Sequence, residues 1–219
     1  MATSTKIDKS LTVDEIAYYY TLLDEPLTTY DCGILCKHNY GGIPYCCTTE
    51  HAVPLLYKSE FEYVKSLGDL WHEWKPVTAE DKEIKKSESK DQIFCECKGV
   101  EFCVRSERSI SCRTFPLEPY IDRRGVFVGL TFIRDFTEKD PDTNKTKCPL
   151  TNRPSHIRQE GVDAHFIFWE KLMLRLKDEY ELYTDTSKAL RRDRTRSGRK
   201  FKIFYPSHLK NVKSAQKYV

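Results

Sequence analysis

The stretch Cys32-Gly-Ile-Leu-Cys36-Lys-His-Asn-Tyr-Gly-Gly-Ile-Pro-Tyr-Cys46-Cys47 holds four of the nine cysteines in this 219-residue chain. A second stretch, residues 95–116, reads CECKGVEFCVRSERSISCRTFP and holds four more. Thiols gathered this closely either pair as disulfides or bind a metal. Both arrangements would fix the loops that carry them, so these two stretches decide the core of the fold.

The cellular compartment distinguishes between disulfides and metal. The N-terminal residues lack the apolar segment of a signal peptide, and no stretch approaches the roughly 18 apolar residues that span a bilayer. The sequence therefore predicts a cytoplasmic protein without a membrane segment. Thiols in a reducing cytosol mostly stay free, and nine cysteines cannot all pair within one chain, so metal binding is favoured over a disulfide framework.

The first cysteine group contains a recognisable ligand pair and an unusual one. Cys32 and Cys36 are spaced like the short hooks of structural zinc sites. Cys46 and Cys47 are adjacent, and adjacent side chains point apart in an extended backbone. The pair therefore binds one centre through a bent backbone, or it serves two centres.

The second group supplies the remaining candidate ligands. Cys95 and Cys97 share one face if that stretch is extended, and Cys103 and Cys112 return to the same neighbourhood across loops. Eight thiolates exceed the needs of one ion. They allow two zinc ions, one iron–sulfur cluster such as [4Fe–4S] with spare cysteines, or a polynuclear iron site, whereas magnesium and calcium are excluded as natural occupants.

Several nearby residues have weaker claims to a role. Cys148 is predicted to be a thiol without function, and His38 and His51 are left outside the ligand set. Arg113, which follows Cys112 directly, is a candidate cofactor-binding residue, because its guanidinium could hydrogen-bond a thiolate or offset its charge. The alternative for Arg113 is a surface ion pair with Glu118 or Asp122.

Hydrophobic spacing and capping residues predict the other elements. They are helices over 11–24 (capping box Thr12–Glu15), 59–74 (capping box Ser59–Glu62) and 162–182, a charged turn or linker over 78–92, a strand within 125–133, and a polar loop over 138–158. The predicted class is α+β, with an irregular, metal-stapled, cysteine-rich core, several helices and a small antiparallel sheet.

The chain is predicted to form one metal-binding domain over residues 1–185, with its cluster core at about 30–135, followed by a basic extension, 186–219. The formal net charge of +3 is too small to argue for nucleic-acid binding by itself. Residues 191–200, however, carry six Lys or Arg against one Asp. This run is either a solvated tail or a contact for nucleic acid or an acidic partner.

At these residues the chain resembles the YkgJ-like cysteine-cluster family, a zinc- or iron-chelating domain. Its C-x3-C hook is matched by Cys32 and Cys36, and its Cys-Cys pair by Cys46-Cys47. Its middle cysteines are matched by Cys97 and Cys103, and its closing C-R-x-F-P motif by Cys112 to Pro116. The segment from Val53 to Glu60 resembles the family's entry into a helix with an acidic residue. The gap after Cys36 is longer than usual, Arg108-Ser109 replaces an R-P, and Cys95 is extra.

The resemblance implies metal chelation, and some related flagellin lysine methylases couple an iron–sulfur centre to protein modification. We expect an intracellular metalloprotein that binds a [4Fe–4S] cluster or zinc and supports redox chemistry or metal-dependent modification of a protein or RNA partner. One alternative is a zinc-stabilised, non-catalytic module that presents residues 191–200 to nucleic acid. Another is a redox thiol protein that uses Cys46-Cys47 and Cys148. Nucleotide-binding and hydrolase motifs are absent from the sequence. Their absence does not exclude an enzyme, so enzymatic activity stays open.

Overall fold

The computed structural model describes residues 10–198 and 200–210. Residues 1–9, which bear on the predicted lack of a signal peptide, residue 199 of the basic run, and residues 211–219 of the predicted extension lie outside the described residues. The fold is α+β, as predicted, but it has two three-stranded antiparallel sheets where the sequence predicted one.

The helices are α1 (Val13–Leu22), α2 (Lys58–Leu67), α3 (Ala79–Lys85), α4 (Ile110–Thr114), α5 (Gln159–Arg175) and α6 (Lys177–Ser197). The strands are β1 (Leu55–Tyr57), β2 (Trp71–Glu73), β3 (Gln92–Cys97), β4 (Leu117–Ile121), β5 (Phe127–Phe132) and β6 (Ile203–Phe204). Residues 207–210 are also helical.

The two predicted capping boxes have different outcomes. In α1, the Thr12 hydroxyl accepts from the Glu15 amide, and the Glu15 carboxylate accepts from the Thr12 amide, so this box is confirmed. In α2, the N-cap is Tyr57 and no side chain caps the helix, so the Ser59–Glu62 box is wrong. The helix also ends early, because Trp71 joins β2, where it pairs with Cys97 and its indole donates to the Glu107 carbonyl at 2.6 Å.

The first sheet has the order β1–β3–β2 and carries part of the second cysteine stretch in its central strand. Leu55 pairs with Phe94, and Glu73 pairs with Cys95. The charged segment that links β2 to β3 contains α3, which begins with a capping box formed by Thr78 and Asp81. Of the two interpretations for this segment, the helical turn is therefore confirmed.

The second sheet has the order β4–β5–β6, and its central strand is the strand predicted within 125–133. The helix predicted over 162–182 is two helices, because the backbone of Leu176 is extended. In α5 the predicted apolar stripe is buried, as Val162, Phe166 and Leu172 illustrate.

The boundary predicted between residues 185 and 186 lies inside α6, which runs across it without a break. The Ile121 amide donates to the Ser187 hydroxyl at 2.9 Å, and Arg191 donates to the Ile121 carbonyl at 2.6 Å. β6 then pairs with β5. Residues of the predicted extension thus pack on the second sheet and complete it.

The hydrophobic core joins α1, α2, α5 and both sheets into one cluster. In the described part of the chain, no helix combines the length and the apolar character that a bilayer crossing requires.

Candidate metal centre

The first cysteine stretch folds back on itself through two short 3₁₀ turns, Cys32–Leu35 and Tyr45–Cys47. Asp31 caps the first turn by accepting from the Gly33 amide at 3.1 Å. A side chain at Gly33 would come within 2.6 Å of Pro44, so glycine allows the two turns to pack together. The hook and the Cys46-Cys47 pair are neighbours for this reason.

Four thiols line one cavity of about 20 Å³: those of Cys32, Cys36, Cys46 and Cys148. This volume holds an object of at least the size of a water molecule. The rest of the wall is formed by Gly33, Pro44, Tyr45, Phe115, Lys147, Pro149 and Leu150. The wall thus contains residues of the first cysteine stretch, Phe115 of the second stretch, and residues 147–150 of the polar loop.

Cys148 is the ligand candidate that sequence reasoning missed. The loop over 138–158 forms 3₁₀ turns at Pro149–Asn152 and Pro154–His156, as its prolines favour. The Thr151 hydroxyl donates to the Cys148 carbonyl at 2.7 Å and fixes the start of the first turn. Cys148 is buried, and its thiol interacts electrostatically with those of Cys32 and Cys36. Its Cys-Pro sequence, isolated from the other cysteines, gave no signal of this approach.

The second cysteine stretch forms another thiol group. Cys112 lies in α4, where its amide donates to the N-cap hydroxyl of Ser109 at 3.2 Å. Its thiol interacts with those of Cys47, Cys97 and Cys103. The Cys97 thiol interacts in turn with those of Cys103 and Cys47.

The Cys46-Cys47 pair joins the two groups. These residues lie in a 3₁₀ turn, so the backbone is bent. A bent backbone is what binding of both cysteines to one centre would require. A hydrogen bond between the two thiols raises the pKa of Cys46 and lowers the pKa of Cys47. Cys46 lines the cavity and interacts with Cys32 and Cys112. Cys47 is exposed and interacts with cysteines of both groups: Cys32, Cys36, Cys97 and Cys112.

Burial makes most of these thiols weak acids. It raises the pKa of Cys32 to about 11 and the pKa values of Cys112 and Cys148 to about 12. The thiols are therefore protonated near neutral pH in the metal-free protein. A soft cation would displace these protons on binding, since the thiolate is the ligand.

The donor set fits zinc or iron, because both accept clustered thiolates. Among residues 10–198 and 200–210, however, no group of three or more His, Cys, Asp or Glu side chains is arranged so that it could hold an ion. The thiols share a cavity wall and electrostatic neighbours, and a metal would have to draw them closer together.

Cys95 lies apart from both thiol groups, although it was predicted as a ligand. Its side chain is fully buried in the hydrophobic core. Burial raises the pKa of the Cys95 thiol to about 12, and its strongest electrostatic interactions are with Glu60, Lys85 and Glu73. The role of Cys95 as a ligand stays a prediction, and the interactions of its thiol are with charged side chains and not with other cysteines.

Arg113 points away from the thiols, and its predicted role beside a cofactor stays a prediction. Its guanidinium is buried, lies 4.5 Å from the centre of the Tyr20 ring, and approaches Asp24 at 3.8 Å. It donates to the backbone carbonyls of Leu23, Arg105, Ser106 and Arg108 at 2.9–3.3 Å. Arg113 therefore holds together the C-terminal end of α1, α4 and the loop between Cys103 and Cys112.

The arginine that contacts a thiol is Arg108. Its Nε donates to the Cys103 Sγ at 3.2 Å, and its charge lowers the pKa of Cys47. Arg108 takes the place of the arginine in the family's R-P dipeptide. The place of Arg108 shortly before Cys112 was the sequence signal that could have identified Arg108 as the arginine beside a thiol.

Glu60 holds the first residue of α4 in place through a hydrogen bond. Its carboxylate accepts from the Ile110 amide at 2.6 Å and from the Tyr20 hydroxyl at 3.1 Å. Full burial raises the pKa of Glu60 to about 7. Glu60 is the acidic residue that the resemblance marked, and its contacts fix the helix that carries Cys112.

The histidines remain outside the thiol groups. His51 stacks on Tyr45 with 4.0 Å between ring centroids, and His38 is exposed. His165 is structural, as predicted, because its ring nitrogens lie 2.7 and 3.0 Å from the carbonyls of Gly161 and Arg113.

Comparisons with protein-family models, curated proteins and solved structures gave no match. Membership of the YkgJ-like family therefore stays a prediction that rests on the cysteine motifs.

Proposed function

We propose that the protein is an intracellular metalloprotein of the YkgJ-like type, whose clustered cysteines bind zinc or an iron–sulfur cluster. The observation that supports this most is the cavity lined by Cys32, Cys36, Cys46 and Cys148, four cysteines that come from distant parts of the chain. Unpaired thiols in such numbers have few other uses in a reducing compartment.

The function of the protein would depend on which metal its cysteines bind. A tetrathiolate zinc ion contributes folding free energy and leaves no open position for chemistry. An iron–sulfur cluster transfers electrons, and its potential depends on burial and on hydrogen bonds to sulfur, such as the one from Arg108. Iron would therefore indicate redox chemistry or metal-dependent modification of a protein or RNA partner.

The test of the proposal uses Cys36→Ser and Cys112→Ser, one from each cysteine stretch. Each variant is expected to lose metal and to destabilise residues 30–120, because a bound metal contributes folding free energy to the loops that hold it. Metal content per chain and hydrogen exchange of that region are the measurements. Wild-type metal content and exchange in both variants would refute metal binding by this cluster.

A second candidate function is thiol redox chemistry at Cys47. This side chain is exposed and hydrogen-bonded to its neighbour Cys46, whereas Cys148, the other predicted redox thiol, is buried. Reactive cysteines need both exposure and a stabilised thiolate. If this candidate is correct, Cys47 of the protein as purified is alkylated first. If metal binding is correct, Cys47 becomes reactive only after chelation.

A further inference from the structure

We propose that the C-terminal half of α6 and the segment that leads into β6 bind the phosphate backbone of a nucleic acid. This basic surface consists of five exposed side chains: Arg192, Arg194, Arg196, Lys200 and Lys202. The inference goes beyond the proposed function, because it uses no cysteine and does not depend on a bound metal.

The basic surface carries positive charge without a compensating carboxylate. Residues 191–202 contain seven Lys or Arg and one acidic residue, Asp193. Asp193 is already paired with Arg134, at 2.6 Å between its Oδ2 and the arginine Nε. The other four acidic residues of α6 lie in its first half, at positions 178–185. Within the described part of the chain, no side chain of the basic surface forms an ion pair.

Packing places two arginines of α6 on aromatic rings. The rings of Tyr120 and Phe201 lie with their centroids 5.4 Å apart. The guanidinium of Arg191 is 5.7 Å from the centroid of Tyr120, and that of Arg194 is 5.9 Å from the centroid of Phe201. An arginine stacked on a ring keeps the donors at the edge of its planar group, and phosphate accepts two of them in parallel. Arg194 is thus positioned before a phosphate arrives, so its binding costs less side-chain entropy.

A turn after α6 brings helix and strand residues to the same surface. Gly198 ends the helix in the left-handed conformation, with φ of 68°, and its amide donates to the Arg194 carbonyl at 3.0 Å. The Thr131 hydroxyl of β5 donates to the Lys202 carbonyl at 2.9 Å and fixes the start of β6. The two lysines flank Phe201, so the contact of Phe201 with Arg194 places them beside the last turns of α6.

The charges follow the direction of the helix. Arg192 and Arg196 are four residues apart, so they lie on one face of α6 and are separated by about 6 Å along its axis. A nucleic-acid strand presents phosphates at regular intervals of similar size along its length. A row of arginines therefore meets a row of phosphates.

The composition of the surface favours a nucleic acid over an acidic protein. Interfaces between proteins are centred on apolar and aromatic anchors, whereas interfaces with nucleic acids are polar and strongly positive. Among the described residues after Leu182, no large hydrophobic side chain is exposed. Residues 188–202 also contain no Asn or Gln, the side chains that read adenine. We therefore expect phosphate binding without base recognition.

The test is binding of the full chain to a fluorescent DNA duplex of about 20 base pairs, measured between about 50 and 200 mM salt. Five neutralised phosphates give a slope of about −4.5 for log K against log salt, so the affinity should fall about 500-fold over this range. A single-stranded RNA of the same length is the second probe. The tighter complex identifies which nucleic acid the surface takes.

Two double variants locate the binding surface. Arg192→Gln combined with Arg196→Gln should bind more weakly and reduce the loss of affinity over the same range to about 40-fold, because two phosphate contacts are removed. The matched control is Lys75→Gln combined with Lys82→Gln, at exposed positions in and before α3. It removes the same number of charges and should keep the wild-type affinity and salt dependence.

Phe201→Leu tests the stacked arrangement, because it removes the ring under Arg194 and no charge. We expect the affinity to fall about two- to tenfold with an unchanged salt slope, since Arg194 must then be immobilised on binding. Circular dichroism checks that each variant keeps the fold. Wild-type affinity in Phe201→Leu would overturn the positioning of Arg194 by this ring.

Three results would overturn the inference as a whole. The first is no binding of either probe at about 50 mM salt, where this mode is strong. The second is equal weakening by the two double variants, which would show that net charge and not this surface binds the probe. The third is displacement of the probe by poly-glutamate as readily as by unlabelled DNA of equal charge, which would point to an acidic protein. None of these results alters the metal content of the chain, so the proposed function is tested separately.

Discussion

The guanidinium of Arg113 ties three segments together through hydrogen bonds to backbone carbonyls. It is 5% exposed and donates to four carbonyl groups, of which those of Leu23 and Arg105 have a second donor. Its removal takes away four hydrogen bonds from a charged donor, which lowers the free energy of unfolding. Lysine has a single ammonium group and does not reproduce the planar fork of donors.

We therefore expect Arg113→Ala to lower the free energy of unfolding by about 1.5–3 kcal/mol, in the range for hydrogen bonds from a charged group. Arg113→Lys should recover little of this loss. Urea denaturation measures both, with Arg123→Ala at an exposed position as the control. A lysine variant as stable as the wild type would contradict the structural role.

Glu60 makes stability depend on pH. Its pKa in the folded protein is about 7, against an ordinary value of 4.5, because it is fully buried. The folded state therefore holds this proton more tightly than the unfolded state does. The resulting stabilisation is complete below about pH 4.5 and is lost as the pH rises through about 7.

The expected size of this change is about 3 kcal/mol, at about 1.36 kcal/mol per pKa unit. Glu60→Gln should remove this part of the decrease and leave the part due to Glu118 and Glu179, whose pKa values burial also raises, while it keeps an acceptor for Ile110 and Tyr20. Denaturation between pH 4.5 and pH 8 measures it, with the exposed Glu62→Gln on the same helix as the control. If Glu60→Gln retains the wild-type pH profile, Glu60 does not titrate in this way.

At the scale of elements, α6 attaches the C-terminal residues to the second sheet. Leu190 is 7% exposed on this helix, whereas Leu182 is 53% exposed. Truncation of a buried leucine removes apolar burial and leaves a cavity. We expect Leu190→Ala to cost about 2–5 kcal/mol in the free energy of unfolding and Leu182→Ala less than about 1 kcal/mol.

Thermal and urea denaturation compare these two variants directly. Equal effects would show that residues after 185 lie outside the folded domain. The sequence predicted a basic extension over 186–219, because the charge of residues 191–200 was taken as a sign of a tail. Arg191 instead donates to Ile121 and lies 5.7 Å from the centre of the Tyr120 ring.

The elements that the sequence predicted well have a local cause. The capping box of α1, the strand β5 and the apolar stripe of α5 each depend on residues close together in the chain. The two errors have different causes. The end of α2 at Leu67 is followed by Gly68, a local stop signal that the predicted helix ran through, whereas the break at Leu176 carries no proline or glycine signal.

At the scale of the whole molecule, the cysteine spacing predicted which loops meet but not how the thiols divide. The approach of Cys148 to Cys32 spans more than a hundred residues, and no local pattern encodes it. The position of Arg113 beside Cys112 also suggested a role at the metal, but the helical backbone of α4 directs its side chain toward α1. Tertiary packing decided both cases.

The measurement that tests the central claim most directly is elemental analysis, with a visible spectrum, of the full chain purified without oxygen. The account predicts zinc in a colourless protein, or iron with sulfide and the absorbance of thiolate-bound clusters. Chelation should then release the metal and destabilise residues 30–120. A stably folded protein that contains neither zinc nor iron, and that takes up neither on reconstitution, would contradict the account.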